Sequence, residues 1–144
     1  MSSTPAAELR RAADLIDAFN EADWDRLQEH LARDVLYTET GTGRRVEGVG
    51  AYLQLCQGWK EAFPDATGTV TNAVAGEDIA ALELHWDGTH TGPLETPAGP
   101  VPASGKPISV DATFWARYDG DRMQEIHHHL DVLALLQQIG ATGG

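Results

Sequence analysis

Two tight turns constrain this chain more than anything else in it. Gly76-Glu77-Asp78 separates Thr67 to Ala75 from Ile79 to about His90, and Asp119-Gly120-Asp121 separates Ile108 to Tyr118 from Met123 to about His129. All four runs are rich in β-branched or aromatic residues and read as strands. Connections this short join antiparallel neighbours, because a parallel crossover needs a dozen or more residues. Between the two pairs, residues 92–107 hold five of the seven prolines, which excludes a helix or a central strand there. A surface loop is expected, either a rim or lid element or a plain wide connection.

The first half carries helix signals. Ser3-Thr4-Pro5 supplies a cap and a first-turn proline, after which Leu9, Ala12, Ala13, Ile16 and Phe19 fall on one face. Asp23 caps a short second helix with Trp24, Leu27 and Leu31 inward, and Val35 to Thr38 reads as a strand turned by Gly41-Thr42-Gly43. Val49, Tyr52, Leu53, Cys56, Trp59 and Phe63 mark a third helix that must stop before Pro64. Asp131 caps a last helix, which Gly140 ends. Helices followed by a long antiparallel sheet give an α+β class, and 144 residues without a linker or repeat are expected to form one domain, 1–144.

The 22 acidic residues against 10 basic ones, a formal charge of −12, would repel phosphate backbones and anionic headgroups, so no nucleic-acid or membrane partner is expected. No apolar stretch has the length of a membrane helix and the N-terminus has no signal core, which with the lone Cys56 among apolar neighbours suggests a reducing cytoplasm. No G-x-S-x-G elbow, Walker loop or dinucleotide glycine fingerprint occurs.

Four segments follow one another in a specific order: Trp86 to Leu94 (WDGTHTGPL), Ala103 to Pro107 (ASGKP), Arg117 to Glu125 (RYDGDRMQE), and Asp131 with Leu135 to Gly140 (LLQQIG). Together with Phe19-Asn20, Asp23-Trp24, Tyr37, Gly48 and Phe63-Pro64-Asp65 they resemble the SnoaL-like polyketide cyclases of the nuclear transport factor 2-like superfamily. The resemblance implies a cone-shaped fold in which a curved antiparallel sheet carries helices on its concave face around one small-molecule pocket. It also implies ring closure of a polyketide or similar hydrophobic substrate by proton transfer, without cofactor or metal. Because a fold of this kind hosts many chemistries, the pocket residues must decide the function.

By the resemblance, Asp131 is the acid/base next to a substrate carbonyl, although an aspartate before an apolar helix is also a preferred N-cap. Alternation along the last strand puts Glu125, His127, His129 and Asp131 on one side and Ile126, His128 and Leu130 on the other. If Asp131 faces the pocket, His127 and His129 face it too and would share its proton; alternatively they are ordinary satisfied histidines, or a His-x-His-x-Asp metal trio lacking a fourth ligand. In the preceding strand Asp111, Trp115 and Arg117 share a face, and the resemblance suggests that this face looks inward, where Arg117 would polarise a carbonyl or merely neutralise an acid. His90 is expected near the pocket rim, and Tyr37 and Trp24 as wall or core aromatics.

The resulting expectation is a cofactor-independent polyketide tailoring enzyme, most simply a cyclase with Asp131, His127, His129 and Arg117 at the chemistry and His90, Asp111, Trp115, Tyr37 and Trp24 around the substrate. Hydroxylation, isomerisation or non-catalytic binding in the same pocket remain alternatives. A homodimer is expected, on the premise that Phe114, Tyr118, Ile126 and Leu130 form an outward apolar sheet face.

Overall fold

A computed structural model describes residues 4–96 and 98–141. The elements run α1 (Pro5–Asn20), α2 (Trp24–Glu29), β1 (Leu31–Thr40), β2 (Arg44–Glu47), α3 (Val49–Ala62), β3 (Thr67–Gly76), β4 (Ile79–Thr89), β5 (Leu94–Thr96), β6 (Gly99–Val101), β7 (Pro107–Asp119), β8 (Arg122–Leu130) and α4 (Val132–Gln138). The local signals act as expected. Thr4 Oγ1 accepts from Ala7 N ahead of Pro5, and Asp23 Oδ1 accepts from Arg26 N, each at 3.2 Å, so both helix starts have an orphan N–H satisfied. The two hairpin turns are closed by Asp78 and Gly120 at positive φ (61° and 62°), the left-handed region that aspartate and glycine enter most readily.

Six strands form one curved sheet in the order β2-β1-β8-β7-β4-β3. Neighbours are antiparallel except β1 and β8, which run parallel. The sheet is therefore mixed, since the chain passes through α3 and six further strands, β2 to β7, before β8 returns beside β1. Two elements depart from the sequence expectation. β1 reaches back to Leu31 and has β2 as an antiparallel partner. The proline-rich segment contains the small β5–β6 hairpin, which stays outside the main sheet. That placement suits prolines, which cannot donate to a central ladder.

Helices α1 and α3 cover one sheet face, α1 against β3 and β4 and α3 against β1, while α4 lies on β7. The covered face of β7 is its even-numbered one: Ile108, Val110, Ala112, Phe114, Ala116 and Tyr118 are all buried. Across the ladder Ala112, Phe114 and Ala116 stand opposite Leu130, His128 and Ile126 of β8, so the even residues of β8 point inward as well. This reverses the expected face. Phe114, Tyr118 and Ile126 are core residues and Leu130 packs on the core, while Asp111, Trp115 and Arg117 are exposed on the outer surface.

Edge strand β3 is tied to α1 at Gly68, whose N–H donates to Asn20 Oδ1 (2.8 Å) and whose carbonyl accepts from Asn20 Nδ2 (2.9 Å). Gly68 pairs with Trp86, and a Cβ at 68 would lie 2.6 Å from the indole ring. Gly68→Ala should therefore displace Trp86 and lower stability by about 1–3 kcal/mol. Denaturant titration followed by tryptophan fluorescence checks this, and an unchanged midpoint would mean that Trp86 is not held against position 68.

Candidate active site

Between the sheet and helices α1 and α3 lies a cavity with about 650 Å³ of empty space counted out to its opening. Leu15, Phe19, Leu55 and Phe114 are among the side chains that make its wall mostly carbon. Its polar side chains include His128 on β8, Tyr37 on β1, Tyr52 on α3, and Trp86 and Asp87 on β4. His128 is 8% exposed and meets Phe114 and Trp86 edge-on, with ring centres at 5.7 and 6.1 Å.

The hydrogen bonds around His128 are consistent with one protonation pattern. Tyr37 Oη lies 2.5 Å from Glu39 Oε2 and 2.9 Å from His128 Nδ1. A carboxylate only accepts, so the phenol gives its proton to Glu39 and its oxygen accepts from Nδ1–H. Nε2 is then the unprotonated nitrogen. The indole Nε1 of Trp86, which only donates, faces it at 3.4 Å. Burial drives the His128 pKa down to about 4, against an upward pull from Glu39 and a further small push down from His129. The imidazole is neutral at neutral pH, with a lone pair turned to the cavity.

Glu39 is fully buried at the inner end of this chain of bonds. Besides Tyr37 it accepts from Thr42 Oγ1 (2.6 Å) and from Trp59 Nε1 (3.3 Å), and Arg44 Nε lies 3.4 Å from its Oε1. Local geometry explains why these groups meet. The Gly41-Thr42-Gly43 turn folds β2 back on β1, which sets Arg44 opposite Glu39 in the register. A buried carboxylate with four donors, one of them cationic, avoids the penalty of an unpaired buried charge.

Asp131, His127, His129 and Arg117, the residues expected at the chemistry, lie outside this cavity. Asp131 is exposed and caps α4, its Oδ1 accepting from Ala134 N at 3.1 Å. His127 is bonded to Glu125 Oε1 (2.8 Å) and His129 to Thr40 Oγ1 (2.9 Å), both on the outer face. Arg117 is 4.0 Å from Glu125, and Trp115 shares a shallow outer hollow with Arg117, His127 and His129. The trio His127, His129 and Asp131 is thus dispersed among other partners, and among the described residues no group of three or more His, Cys, Asp or Glu is arranged to hold a metal ion. Tyr37 does line the cavity, whereas Trp24 stands behind Phe19 with ring centres at 6.2 Å. His90 is fully buried but works as a clasp, its Nδ1 accepting from Ser104 N (3.1 Å) and its carbonyl from Gly105 N (2.7 Å). Cys56 is buried, and burial pushes its thiol up to about 12, so it is inert as a nucleophile.

The outer face carries one further hydrogen-bonded set. His85 Nδ1 is 2.7 Å from Asp111 Oδ1, and its Nε2 is 2.6 Å from Ser109 Oγ. It lies on open sheet with the Asp111 side chain 90% exposed, and the Ser109 N–H is committed to Gln138 Oε1 and so is not free to serve an oxyanion.

A carbon-lined cavity between a curved sheet and the helices across it is the arrangement on which the comparisons bear. The sequence profile of the SnoaL-like polyketide cyclases matches residues 9–139. The chain belongs to this family. Among curated proteins none matches by sequence. Solved structures agree with the family. A protein of Jannaschia sp. CCS1 assigned to the SnoaL-like polyketide cyclases superposes with a TM-score of 0.87 at 20% identity, over 99% of this chain and 97% of that one. IdmH of Streptomyces antibioticus, assigned as a polyketide cyclase, is 28% identical with a TM-score of 0.78 over 92% and 98%. AclR of Streptomyces galilaeus, assigned as a hydroxylase, is 22% identical with a TM-score of 0.82 over 98% and 85%. The SnoaL-like fold is thereby established, and among the described residues no helix is long and apolar enough to cross a membrane.

For this SnoaL-like chain the neutral, buried His128 makes stability depend on pH. Its folded pKa of about 4 lies below the ordinary 6.5, so the unfolded chain binds the proton more readily, and stability present above 6.5 is lost as pH falls toward 4. Between pH 7 and pH 4 the wild type should lose about 3 kcal/mol more than His128→Gln does. Denaturant titrations of both proteins at the two pH values check this, and equal losses would place the imidazole in contact with water.

Proposed function

We propose that this SnoaL-like chain is a cofactor-independent acid/base enzyme that closes a ring in a polyketide-like substrate, with His128 as the base. The observation that supports it is the pairing of a lone-pair nitrogen, His128 Nε2, with a donor, Trp86 Nε1–H, in the wall of one carbon-lined cavity. A carbonyl oxygen that takes the long Trp86 bond for itself leaves the adjacent C–H within reach of Nε2. The proton moves to Nε2, and the enolate oxygen is held by the indole N–H. The enolate carbon then attacks a second carbonyl of the same molecule, and the new alkoxide takes the proton back from the imidazolium. While charged, His128 is steadied through Tyr37 by the Glu39 carboxylate.

A base weakened by burial needs an acidic carbon. The substrate is therefore assigned as a molecule whose proton is flanked by two carbonyls, as in a poly-β-ketone, with an apolar body that fits the wall. Return of the proton to a different carbon would give isomerisation instead, and a ligand that only binds would undergo neither. No metal is needed for these steps, and the lone buried Cys56 suits a reducing cytoplasm.

Exchange of solvent deuterium into an aryl β-diketone, followed by proton NMR, reports the first step directly. His128→Gln should slow it by roughly a hundredfold or more, the usual worth of a positioned base, and Glu39→Gln by roughly tenfold. Asp131→Asn, which keeps the cap, should exchange at the wild-type rate with an unchanged melting temperature. Slow exchange in Asp131→Asn with normal exchange in His128→Gln would return the role to Asp131.

We also propose a homodimer, on grounds different from the apolar strand face first expected, which is interior. The outer sheet face keeps Trp115 42% exposed beside Arg117 and His127. Light scattering should give twice the 15.5 kDa chain mass at micromolar concentration, and Trp115→Glu should halve it. A wild-type mass of one chain overturns the dimer.

A further inference from the structure

Beside the catalytic cavity, α3, β2 and the segment leading into β5 enclose a second chamber with about 590 Å³ of empty space counted out to its opening. Leu55 and Trp59 line both compartments, so these two side chains form a partition between them. The chemistry differs on the two sides. The inner wall is mostly carbon, whereas the outer one presents Arg44, Gln54, Glu61 and Glu95. The guanidinium of Arg44 is already engaged: its Nε is 3.4 Å from Glu39 Oε1, its Nη2 donates to the Glu95 carbonyl at 3.2 Å, and it lies 5.0 Å from the centre of the Trp59 ring. What remains for a ligand is largely accepting, from the carboxylates of Glu61 and Glu95 and the amide of Gln54.

One residue of the chamber is unexplained by the fold. Gly58 sits inside α3, where glycine weakens a helix relative to alanine. No close approach calls for it, since a Cβ built there would meet nothing within 4 Å, and it is absent from the positive-φ positions. The glycine's effect is to leave the chamber open.

We propose that the outer chamber is a second subsite for the same substrate. The carbonyl-bearing apolar body lies against His128, and a polar, hydrogen-bond-donating arm passes the partition beside Trp59. The inference rests on the proposed reading of the inner cavity as the carbonyl site. Passage requires the Trp59 indole to turn, giving up one long hydrogen bond to Glu39 Oε2 (3.3 Å), its place under Arg44 and its stacking on Phe63. The substrate class is thereby narrowed to two-part molecules, with a flat ketone at one end and hydroxyl or amine donors at the other.

Three probes test this by titration calorimetry: a naphthyl methyl ketone, the same ketone with a hydroxypropoxy arm, and the same ketone with a methoxypropoxy arm that cannot donate. Wild-type protein should bind the hydroxyl arm at least tenfold more tightly than the other two probes. Gly58→Leu, which fills the chamber from the helix, should erase that gain and leave the affinity for the parent ketone unchanged, with a melting temperature no lower than that of the wild type. Gln54→Phe fills the same space and serves if Gly58→Leu does not fold. An arm that adds nothing in the wild type, or a gain that survives the filled chamber, overturns the second subsite alone. A parent ketone that does not bind at all overturns the reading of the inner cavity, and the subsite with it.

Discussion

The parity of β7 is the constraint on which the rest of the molecule depends. Every second residue from Ile108 to Tyr118 is apolar and buried, while the intervening positions include Asp111 and Arg117. Turning the strand over would place a carboxylate and a guanidinium under the helices, at a cost no cross-strand contact could offset. Pairing passes this choice to both neighbours. Phe114 stands opposite Leu82 of β4 and His128 of β8, so Trp86 and His128 arrive at the same cavity from opposite sides of β7. Asp131 follows β8 directly as the cap of α4 and remains at the surface.

Placing polar groups inside such a core has to be offset locally, and the three involved are treated differently. Glu39 is surrounded by donors, as two side chains from the β1–β2 turn and hairpin, Thr42 and Arg44, join Trp59 and Tyr37 around it. His128 is kept neutral by burial. Tyr37, held in its neutral form chiefly by burial and by the adjacent Glu39 charge, connects the two without adding charge of its own. His128 and Tyr37 therefore bring no charge to the cavity, and the Glu39 carboxylate lies one side chain away from the nitrogen that would become positive.

Long elements with strong patterns were legible in the sequence, and those created by pairing were not. The caps at Thr4, Asp23 and Asp131, the stop at Pro64 and both hairpin turns acted on their own neighbours and could be read locally. β2 is four residues with two adjacent arginines and no alternation; it is a strand because β1 offers it an edge. For the site, β8 itself set Ile126 and Leu130 beside His128 against the wholly polar Glu125, His127, His129 and Asp131, a contrast that the resemblance-based choice of Asp131 overrode. β7 carried the same contrast more strongly, with one face wholly apolar, and pairing with it decides for His128 over its neighbours. Glu39 gave no signal at all, because its partners at 42, 44 and 59 are assembled only by the turn and by α3.

The same burial that positions His128 limits what it can do. An imidazole whose charged form is disfavoured is present entirely as base at neutral pH, yet it is a poor one, and its strength returns only as Glu39 and Tyr37 compensate the developing charge. A carbon acid activated by a single carbonyl is mismatched to such a group, whereas one flanked by two carbonyls loses its proton at a more modest driving force. Water would shorten that gap by solvating the imidazolium, but it would also quench the enolate before the second carbonyl reached it. For the ring closure proposed above, mostly carbon walls around His128 and Trp86, with Glu39 as a remote counter-charge, would resolve this conflict in favour of carbon–carbon bond formation. Loosening the wall would make the base stronger and the ring closure worse.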